Sequence, residues 1–276
     1  MKRYLIAVIV CCQLIPLMTA AQTLLQPLQS PYTGLMAYST QQSEIFSVTG
    51  NPASLARLKI IAAGISAERR FLLNELNAYQ AVAGLPTASG NFGIVTNYSG
   101  FSSYNETKMG LVYARSLGKK IDIGAQFNYH GISIAGYGNA STVSAEAGAI
   151  MHLADNLHAG LRVTNPVGGK FGKDNEKLPF IYSAGVGYDA SDRFFIAAEI
   201  VKEENKPVTI NAGFQYRLPA LLHFRAGVSS ATSQVWGGAG IRLPSFRIDL
   251  ISSYHPQLGL TPGLLILFGK TERKNE

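Results

Sequence analysis

The stretch that decides the fold class is Ile121-Asp122-Ile123-Gly124-Ala125-Gln126-Phe127-Asn128-Tyr129-His130. Its odd-numbered residues are apolar or aromatic, and its even-numbered residues are polar or glycine. Because successive side chains of a β-strand point to opposite faces, this alternation predicts a strand with one apolar and one polar face. The pattern recurs in 180–189, 208–217, 222–229 and 246–251, with no helical pattern between the strands. The chain is therefore predicted to be all-β.

The strands of a soluble β-sandwich and of a membrane β-barrel both alternate between apolar and polar residues. The composition of the polar face therefore has to distinguish the two folds. The outer face of a sandwich is rich in Lys, Glu and Thr, whereas the polar face here is mostly Gly, Ser, Asn and Gln with single charges, which is typical of a crowded barrel lumen. Aromatic residues near predicted strand ends, such as Tyr129, Tyr216 and Phe268, suit the aromatic girdles found at lipid headgroups. Since a sheet in lipid must close to satisfy its backbone, we expect a closed antiparallel transmembrane β-barrel in a bacterial outer membrane.

The alternation predicts about fourteen strands, each of a length that a tilted membrane strand requires. They are placed at approximately 59–68, 75–86, 90–98, 105–116, 120–131, 142–153, 157–164, 179–189, 193–202, 207–217, 221–229, 233–242, 246–254 and 258–268. Tight links such as Gly118-Lys119 alternate with links that are longer on average, above all 165–178. In outer-membrane barrels the short turns are periplasmic, so both termini are predicted to be periplasmic.

The two ends of the chain lie outside the predicted barrel. A basic start at Met1-Lys2-Arg3, an apolar stretch over 4–18 and the small residues Thr19-Ala20-Ala21 predict a signal peptide at 1–21. Its removal takes away both cysteines, Cys11 and Cys12, and with them any disulfide or thiol chemistry. We divide the rest into an N-terminal periplasmic or hatch segment at 22–58, the barrel at 59–269 and a polar tail at 270–276.

The charge pattern limits the partners. The formal net charge is +7 at pH 7, and the basic residues are spread along the chain. A nucleic-acid interface needs a clustered basic face, so no nucleic-acid partner is expected. Distributed positive charge suits the anionic headgroups of outer-membrane lipid or lipopolysaccharide.

The segment 22–58 does not alternate, and it is interpreted either as a periplasmic lead-in or as a plug. Asn51 is placed to cap a short helix that has Pro52 at its first position. The motif Asn51-Pro52-Ala53-Ser54-Leu55-Ala56, followed directly by strands, and the closing stretch 254–263 resemble the FadL-type long-chain fatty acid transporter superfamily, especially its PorV/PorQ-like relatives in Bacteroidetes. The resemblance covers about 46–268 in general layout. It implies a fourteen-stranded barrel with an N-terminal hatch, in which Asn51, Pro52 and Ala53 match the hatch motif.

Residues that could carry chemistry are few. Among the five histidines, only His152 and His158, on neighbouring predicted strands across the Asp155-Asn156 turn, come near a metal-ligand spacing. We interpret all five as separate lumen or interface residues, so neither a metal site nor a cofactor is expected: His130, His152, His158, His223 and His255. His130 and Ser133 form the only local serine–histidine pair, but they lie at opposite strand parity and face opposite sides. We therefore predict no catalytic residues and no enzyme activity.

Charged residues on the polar face are the candidate functional residues of the lumen. Under the assigned parity they are Asp122, Glu146, Arg162, Glu199, Arg217, Arg225, Arg242, Arg247 and Asp249. They are interpreted as an ion-pair network that fills the lumen and packs against the hatch, with a selectivity filter as the alternative.

Two functions remain open at this point. The first is a passive conduit or binding barrel for a small hydrophobic molecule, gated by the hatch around Asn51. The alternative is an adaptor or shuttle-type barrel of a type IX secretion-like system, which would bind secretion proteins and transport no solute. An apolar pocket beside the hatch would favour transport, and a lumen filled by arginines and carboxylates would favour the adaptor.

Overall fold

The protein is a closed antiparallel barrel of fourteen strands, as the alternation predicted. The computed structural model describes residues 31–171, 176–218, 221–230 and 234–269. The predicted signal peptide at 1–21, with its two cysteines, and the predicted tail at 270–276 lie outside these residues.

Every predicted strand is present, and we number the strands in chain order. They are β1 (Ala62–Arg69), β2 (Asn77–Thr87), β3 (Gly90–Phe101), β4 (Tyr104–Leu117), β5 (Ile121–Ile134), β6 (Gly138–His152), β7 (Leu157–Thr164), β8 (Lys170–Phe171), β9 (Glu176–Lys177), β10 (Ile181–Asp189), β11 (Phe194–Glu203), β12 (Thr209–Arg217), β13 (Leu222–Ser229), β14 (Gln234–Arg242), β15 (Phe246–His255) and β16 (Gly259–Phe268). Strands β8 and β9 form a separate hairpin, which the sequence did not predict, and the other fourteen form the barrel. The barrel closes between β1 and β16, where Ser66 lies opposite Leu265.

The apolar face of the alternation points outward. On β5 the Phe127 side chain is 70% exposed, while its neighbour Gln126 is 3% exposed and faces the lumen. Val143 on β6 is as exposed as Phe127, and Leu111 on β4 is nearly so. A continuous apolar wall of this kind requires lipid around it, and a closed barrel with such a wall is the form that bacterial outer-membrane proteins take.

The links between strands differ at the two ends of the barrel. One end, here called the short-turn end, carries compact links such as 118–120 between β4 and β5 and 243–245 between β14 and β15. At the other end the links 102–103 and 135–137 are equally compact. The predicted asymmetry therefore depends mainly on one link, 165–180, which contains the β8–β9 hairpin.

Residues 31–58, called the hatch from here on, lie inside the barrel. The hatch contains one helical turn (Pro31–Gly34) and three short 3₁₀ helices at Leu35–Tyr38, Ile45–Thr49 and Pro52–Arg57. None of the helices in the described part of the chain is long and apolar enough to cross a membrane. The chain leaves the hatch at the short-turn end and enters β1, so the hatch fills the barrel from that end.

The inward face is less polar than the sequence pattern indicated. Six buried wall residues form an apolar patch that packs against the hatch residues Phe46 and Leu55 in one core, and we call this patch the apolar sector: Val82, Val95, Val112, Trp236, Ile251 and Leu265. Its strands, β2 to β4 and β14 to β16, are continuous around the closure at β1. Phe195 and Ala197 of β11 belong to the same core but lie apart from these strands, and the buried charged and amide residues lie mostly on the remaining strands. The lumen thus has an apolar side and a polar side.

The outward wall yields a depth-dependent prediction on a single strand. Phe127→Arg, near the middle of β5, should reduce the free energy of folding into lipid vesicles by about 2–4 kcal/mol, because a charge at the bilayer midplane is poorly solvated. Ile121→Arg, at the first residue of the same strand, should cost only about 0–1 kcal/mol. Urea titration of vesicle-inserted protein measures both. Equal costs would contradict the assignment of this face to lipid.

Candidate functional site

The hatch motif is anchored to the barrel wall through Asn51. The Asn51 side chain is fully buried, and its Oδ1 accepts a hydrogen bond from Ala53 N at 3.0 Å, which caps the 3₁₀ helix Pro52–Arg57 as the sequence predicted. Its Nδ2 donates to the carbonyl oxygens of Leu161 at 3.0 Å and Ala149 at 3.4 Å. One side chain therefore both starts the helix and attaches it to β6 and β7.

The other end of the same helix is held by Asn91 on β3, a residue that the sequence analysis did not single out. Its Nδ2 lies 2.7–3.0 Å from the carbonyl oxygens of Leu55, Ala56 and Leu58. The Leu55 carbonyl also accepts a hydrogen bond from Leu58 N at 3.0 Å, whereas Ala56 lies in the last turn, where a short helix leaves its carbonyls without partners. Asn91 shares the inward parity of β3, which is the sequence signal that could have found it.

Glycines on the inward face provide room for the hatch. A Cβ atom on Gly124 would lie 2.5 Å from the carbonyl carbon of Pro52, so only glycine allows the backbone of the motif to approach β5 this closely. On β7, a Cβ atom on Gly160 would lie 2.7 Å from Tyr38 Cε1. The many glycines of the polar face thus serve contact with the hatch rather than an open lumen.

Tyr38 inserts into the wall and ends at a charged residue. Its side chain is fully buried, and its hydroxyl donates to Glu199 Oε2 at 2.6 Å. Burial and the neighbouring Glu199 carboxylate both raise the pKa of the Tyr38 phenol well above its ordinary value. The phenol therefore stays protonated and remains a donor to Glu199 on β11.

A cluster of four charges connects the hatch to β13 and β15. Glu44 of the hatch contacts Arg225 at 3.3 Å and also pairs with Arg247, and Asp249 contacts the same two guanidinium groups at 2.8 and 2.9 Å. Burial opposes ionisation of Glu44, but Arg225 and Arg247 more than offset it, so the pKa of the Glu44 carboxyl is lowered. His223 Nε2 lies 3.0 Å from Asp249 Oδ1, so this histidine is not separate either. Within the cluster the two carboxylates balance the two guanidinium groups in charge.

A second polar chain crosses the short-turn end and corrects the interpretation of two histidines as separate. Nδ1 of His152 lies 2.9 Å from Nδ1 of His158, because the two residues face each other across the β6–β7 turn. The chain ends in two carboxylates: His152 Nε2 lies 2.7 Å from Asp122, and His158 Nε2 lies 3.2 Å from Asp189.

Both carboxylates of this chain hold the hatch. Arg57 Nε donates to Asp122 at 2.8 Å, and Asp189 accepts hydrogen bonds from Ser39 Oγ at 2.5 Å and Thr40 N at 3.0 Å. Asp189 was visible on the polar face of its strand but was not counted among the candidate charges. The partners in the hatch, Ser39 and Arg57, carried no pattern that identifies them.

The remaining polar contacts centre on Glu146. Lys108 Nζ lies 2.6 Å from Glu146 Oε1, and Arg162 lies at 4.0 Å from the same carboxylate. Arg162 Nη1 also donates to the Thr49 carbonyl of the hatch at 2.8 Å. His130, on the same side of the lumen, contacts Ser144 Oγ at 2.8 Å rather than Ser133. In the part of the chain that the structure describes, no group of three or more His, Cys, Asp or Glu residues is arranged to hold a metal ion.

The nine predicted lumen charges therefore divide into two groups. Seven contact the hatch or an oppositely charged wall residue: Asp122, Glu146, Arg162, Glu199, Arg225, Arg247 and Asp249. The other two, Arg217 and Arg242, line a cavity at the short-turn end together with Arg247. Neither has a carboxylate partner among the described residues.

Comparison with solved structures shows the fold that this chain shares. It aligns with the CymD monoaromatic hydrocarbon channel at 13% identity and a TM-score of 0.62, over 87% of this chain and 97% of that one. It aligns with the Pseudomonas putida toluene transporter TodX at 12% identity and a TM-score of 0.64, over 88% and 98% of the two chains. A Pseudomonas aeruginosa FadL homologue matches at 12% identity and 0.58, over 82% and 93%.

No family model matches the sequence, and no curated protein matches it. The first is described as a channel, the second as a transporter and the third as a FadL homologue, and none of the three as an enzyme. At sequence identities of 12–13%, the structural similarity shows that the chains share a barrel fold. The fold points to a bacterial outer membrane as the location.

Seating of the hatch can be tested on two glycines of β5. Gly124→Ala places a methyl group against the Pro52–Ala53 backbone and should destabilise the docked hatch by about 1–3 kcal/mol, whereas Gly131→Ala meets only ordinary contacts at 3.5 Å or more. Limited proteolysis of residues 31–58 in vesicle-inserted protein should be faster for Gly124→Ala alone. Equal cleavage of the two variants would show that the glycine does not seat the hatch.

The Glu44 cluster gives a pH dependence of hatch docking. Because its folded-state pKa is lowered, ionised Glu44 stabilises docking above its ordinary pKa, and this contribution is lost as the pH falls through the lowered value. Cleavage of the hatch, by thermolysin at neutral pH and by pepsin in acid, each normalised to cleavage of an unstructured peptide at the same pH, should therefore increase on acidification.

The matched variant for this experiment is Glu44→Gln, which leaves Arg225 and Arg247 with one carboxylate between them. This variant should weaken docking already at neutral pH. The loss of docking free energy should lie at the low end of about 3–5 kcal/mol, because a cavity beside Glu44 admits water. Its cleavage should also depend less on pH than that of the unmodified chain. Identical pH profiles would contradict a role for Glu44.

Proposed function

We propose that this protein is a passive conduit that carries a small hydrophobic molecule across the outer membrane, with residues 31–58 as its gate. The observation that carries the proposal is the apolar sector of the lumen. A pore for polar solutes has a polar interior, whereas here Val82, Val95, Val112 and Leu265 present an apolar strip along one side. Displacing the hatch would uncover this strip.

The contacts between the hatch and the barrel wall are of kinds that can be broken when a gate opens. On the polar side it is held by hydrogen bonds and ion pairs, which exchange readily for water when the lumen opens. On the other side Phe46 and Leu55 cover the apolar sector in the closed state. A hydrophobic solute can replace these two side chains on the same surface, so a solute offsets part of the cost of opening.

The structural neighbours support the same function. Proteins described as a monoaromatic hydrocarbon channel and a toluene transporter share this fold over nearly their whole length. The short-turn end would face the periplasm, as in other outer-membrane barrels, and would place both termini there. No comparison bears on the PorV/PorQ-like relationship. The lumen does contain paired arginines and carboxylates, which would favour an adaptor, but these pairs hold the hatch to the polar side and leave the apolar sector intact. No comparison supports the secretion-system adaptor.

The conduit can be tested by uptake of 1-N-phenylnaphthylamine, an uncharged aromatic probe, into Gram-negative cells that produce the protein. Uptake should be faster than in cells that produce an outer-membrane barrel of another fold. Val95→Thr with Val112→Thr places hydroxyl groups on the apolar sector and should slow uptake several-fold, because the solute then passes buried polar groups.

The matched control makes the same chemical change on the lipid face. Val186 and Val228 are exposed on the outside of the barrel, so Val186→Thr with Val228→Thr should leave uptake unchanged. The proposal fails if both pairs behave alike, or if production of the protein does not accelerate uptake of the probe. It also fails if a hydrophilic sugar enters equally fast, since that indicates an open polar pore.

A further inference from the structure

A cavity of about 430 Å³ opens at the short-turn end between the hatch and strands β12, β14 and β15. Its volume lies within the range of roughly 300–1,000 Å³ that small-molecule sites occupy. Five cationic side chains line it, whereas Glu44 is the one carboxylate among its lining residues: the cations are Arg57, Lys59, Arg217, Arg242 and Arg247. The cavity is therefore strongly positive.

The positive charge is not balanced within the described residues. Arg57 is neutralised by Asp122, and Arg247 belongs to the neutral cluster with Glu44, Arg225 and Asp249. Three cations remain: Lys59, which is exposed to solvent, and the more buried Arg217 and Arg242. No carboxylate in the described part of the chain lies within ion-pair distance of any of the three. The Nε atom of Arg217 is also buried without a hydrogen-bond partner in that part.

The register of the sheet makes this excess costly. Arg242 on β14 lies directly opposite Arg247 on β15, so two guanidinium groups share one cross-strand pair. Like charges in this position repel each other and destabilise the sheet. An anion bound to Arg242 would offset this repulsion with charge-assisted hydrogen bonds.

We propose that this cavity binds a phosphate group through Arg217 and Arg242. A phosphate monoester carries close to two negative charges at neutral pH, which matches the two unbalanced guanidinium groups. Its oxygens also accept the paired hydrogen bonds that arginine donates.

The surroundings of the cavity indicate how a larger ligand would lie. Leu58, Ile60 and Leu267 line it beside the cations, so apolar atoms attached to the phosphate would find an apolar wall. Phe246 and Phe268 form a cross-strand pair at its rim, and both are exposed on the lipid-facing side of the barrel. The phosphate therefore comes either from the headgroup of a neighbouring lipid or from a free phosphate in solution.

Isothermal titration of the detergent-solubilised chain with inorganic phosphate, in a fixed chloride background, tests the site directly. The chain should bind phosphate saturably, and Arg217→Gln with Arg242→Gln should weaken binding by about a hundredfold, since each arginine supplies charge-assisted hydrogen bonds. The matched control is Lys120→Gln with Arg193→Gln. It removes the same charge from exposed positions outside the cavity and should bind like the unmodified chain.

A second arm identifies the source of the phosphate. Native mass spectrometry of chain extracted from vesicles of phosphatidylcholine with phosphatidic acid should show one retained phosphatidic acid, lost in the Arg217→Gln, Arg242→Gln variant, if the ligand is a lipid headgroup. Phosphate binding without a retained lipid supports a free phosphate as the ligand.

Three outcomes overturn the proposal. The first is that neither probe binds. The second is that the two double variants lose binding equally, which indicates a general charge effect. The third is that phosphate binds only after residues 270–276 are removed, which would mean that the chain's own tail carboxylates satisfy the arginines.

Discussion

The constraint on which the structure depends is that every backbone N–H and C=O group within lipid must have a partner in the protein. Pairing of β1 with β16 meets this requirement by removing the last free edge of the sheet. Closure with fourteen strands has a second consequence: a barrel of this size is too wide for the side chains of its own wall to fill the interior. The hatch and the long inward side chains both follow from that surplus of internal space.

A segment that fills a barrel has no strand partners, so its backbone groups need another source of hydrogen bonds. The hatch obtains them from side chains of the wall and from its own caps. Asn51 and Asn91 hold the two ends of Pro52–Arg57, and Arg162 holds the carbonyl of Thr49. The wall in turn has glycine wherever the hatch backbone or Tyr38 comes closest, as at Gly124 and Gly160. Polar contacts and close packing thus specify one seated position.

The wall could be predicted from the sequence because its signal is local. A period of two persists within each strand, so strand number, facing and the inward position of residues such as Asp122 and Arg225 were all accessible. The hatch contacts were not, since Ser39, Glu44 and Arg57 find partners that are distant in the chain, and no period marks them. The apolar sector could not be predicted for another reason. A valine at an inward position, such as Val95, breaks the alternation of apolar and polar residues, and a buried residue in any β-sheet gives the same pattern.

The division of the lumen into two unlike sides bears on how the hatch would move. Contacts on the polar side are directional and are each lost over a short displacement, as with Tyr38 and Glu199. Contacts on the apolar side have little directional preference, so Phe46 and Leu55 can shift along the apolar sector while still excluding water. Opening by release on the polar side, followed by a slide across the apolar side, keeps the apolar surface covered at each stage. A hydrophobic solute that follows the hatch would then meet an apolar surface that water has not reached.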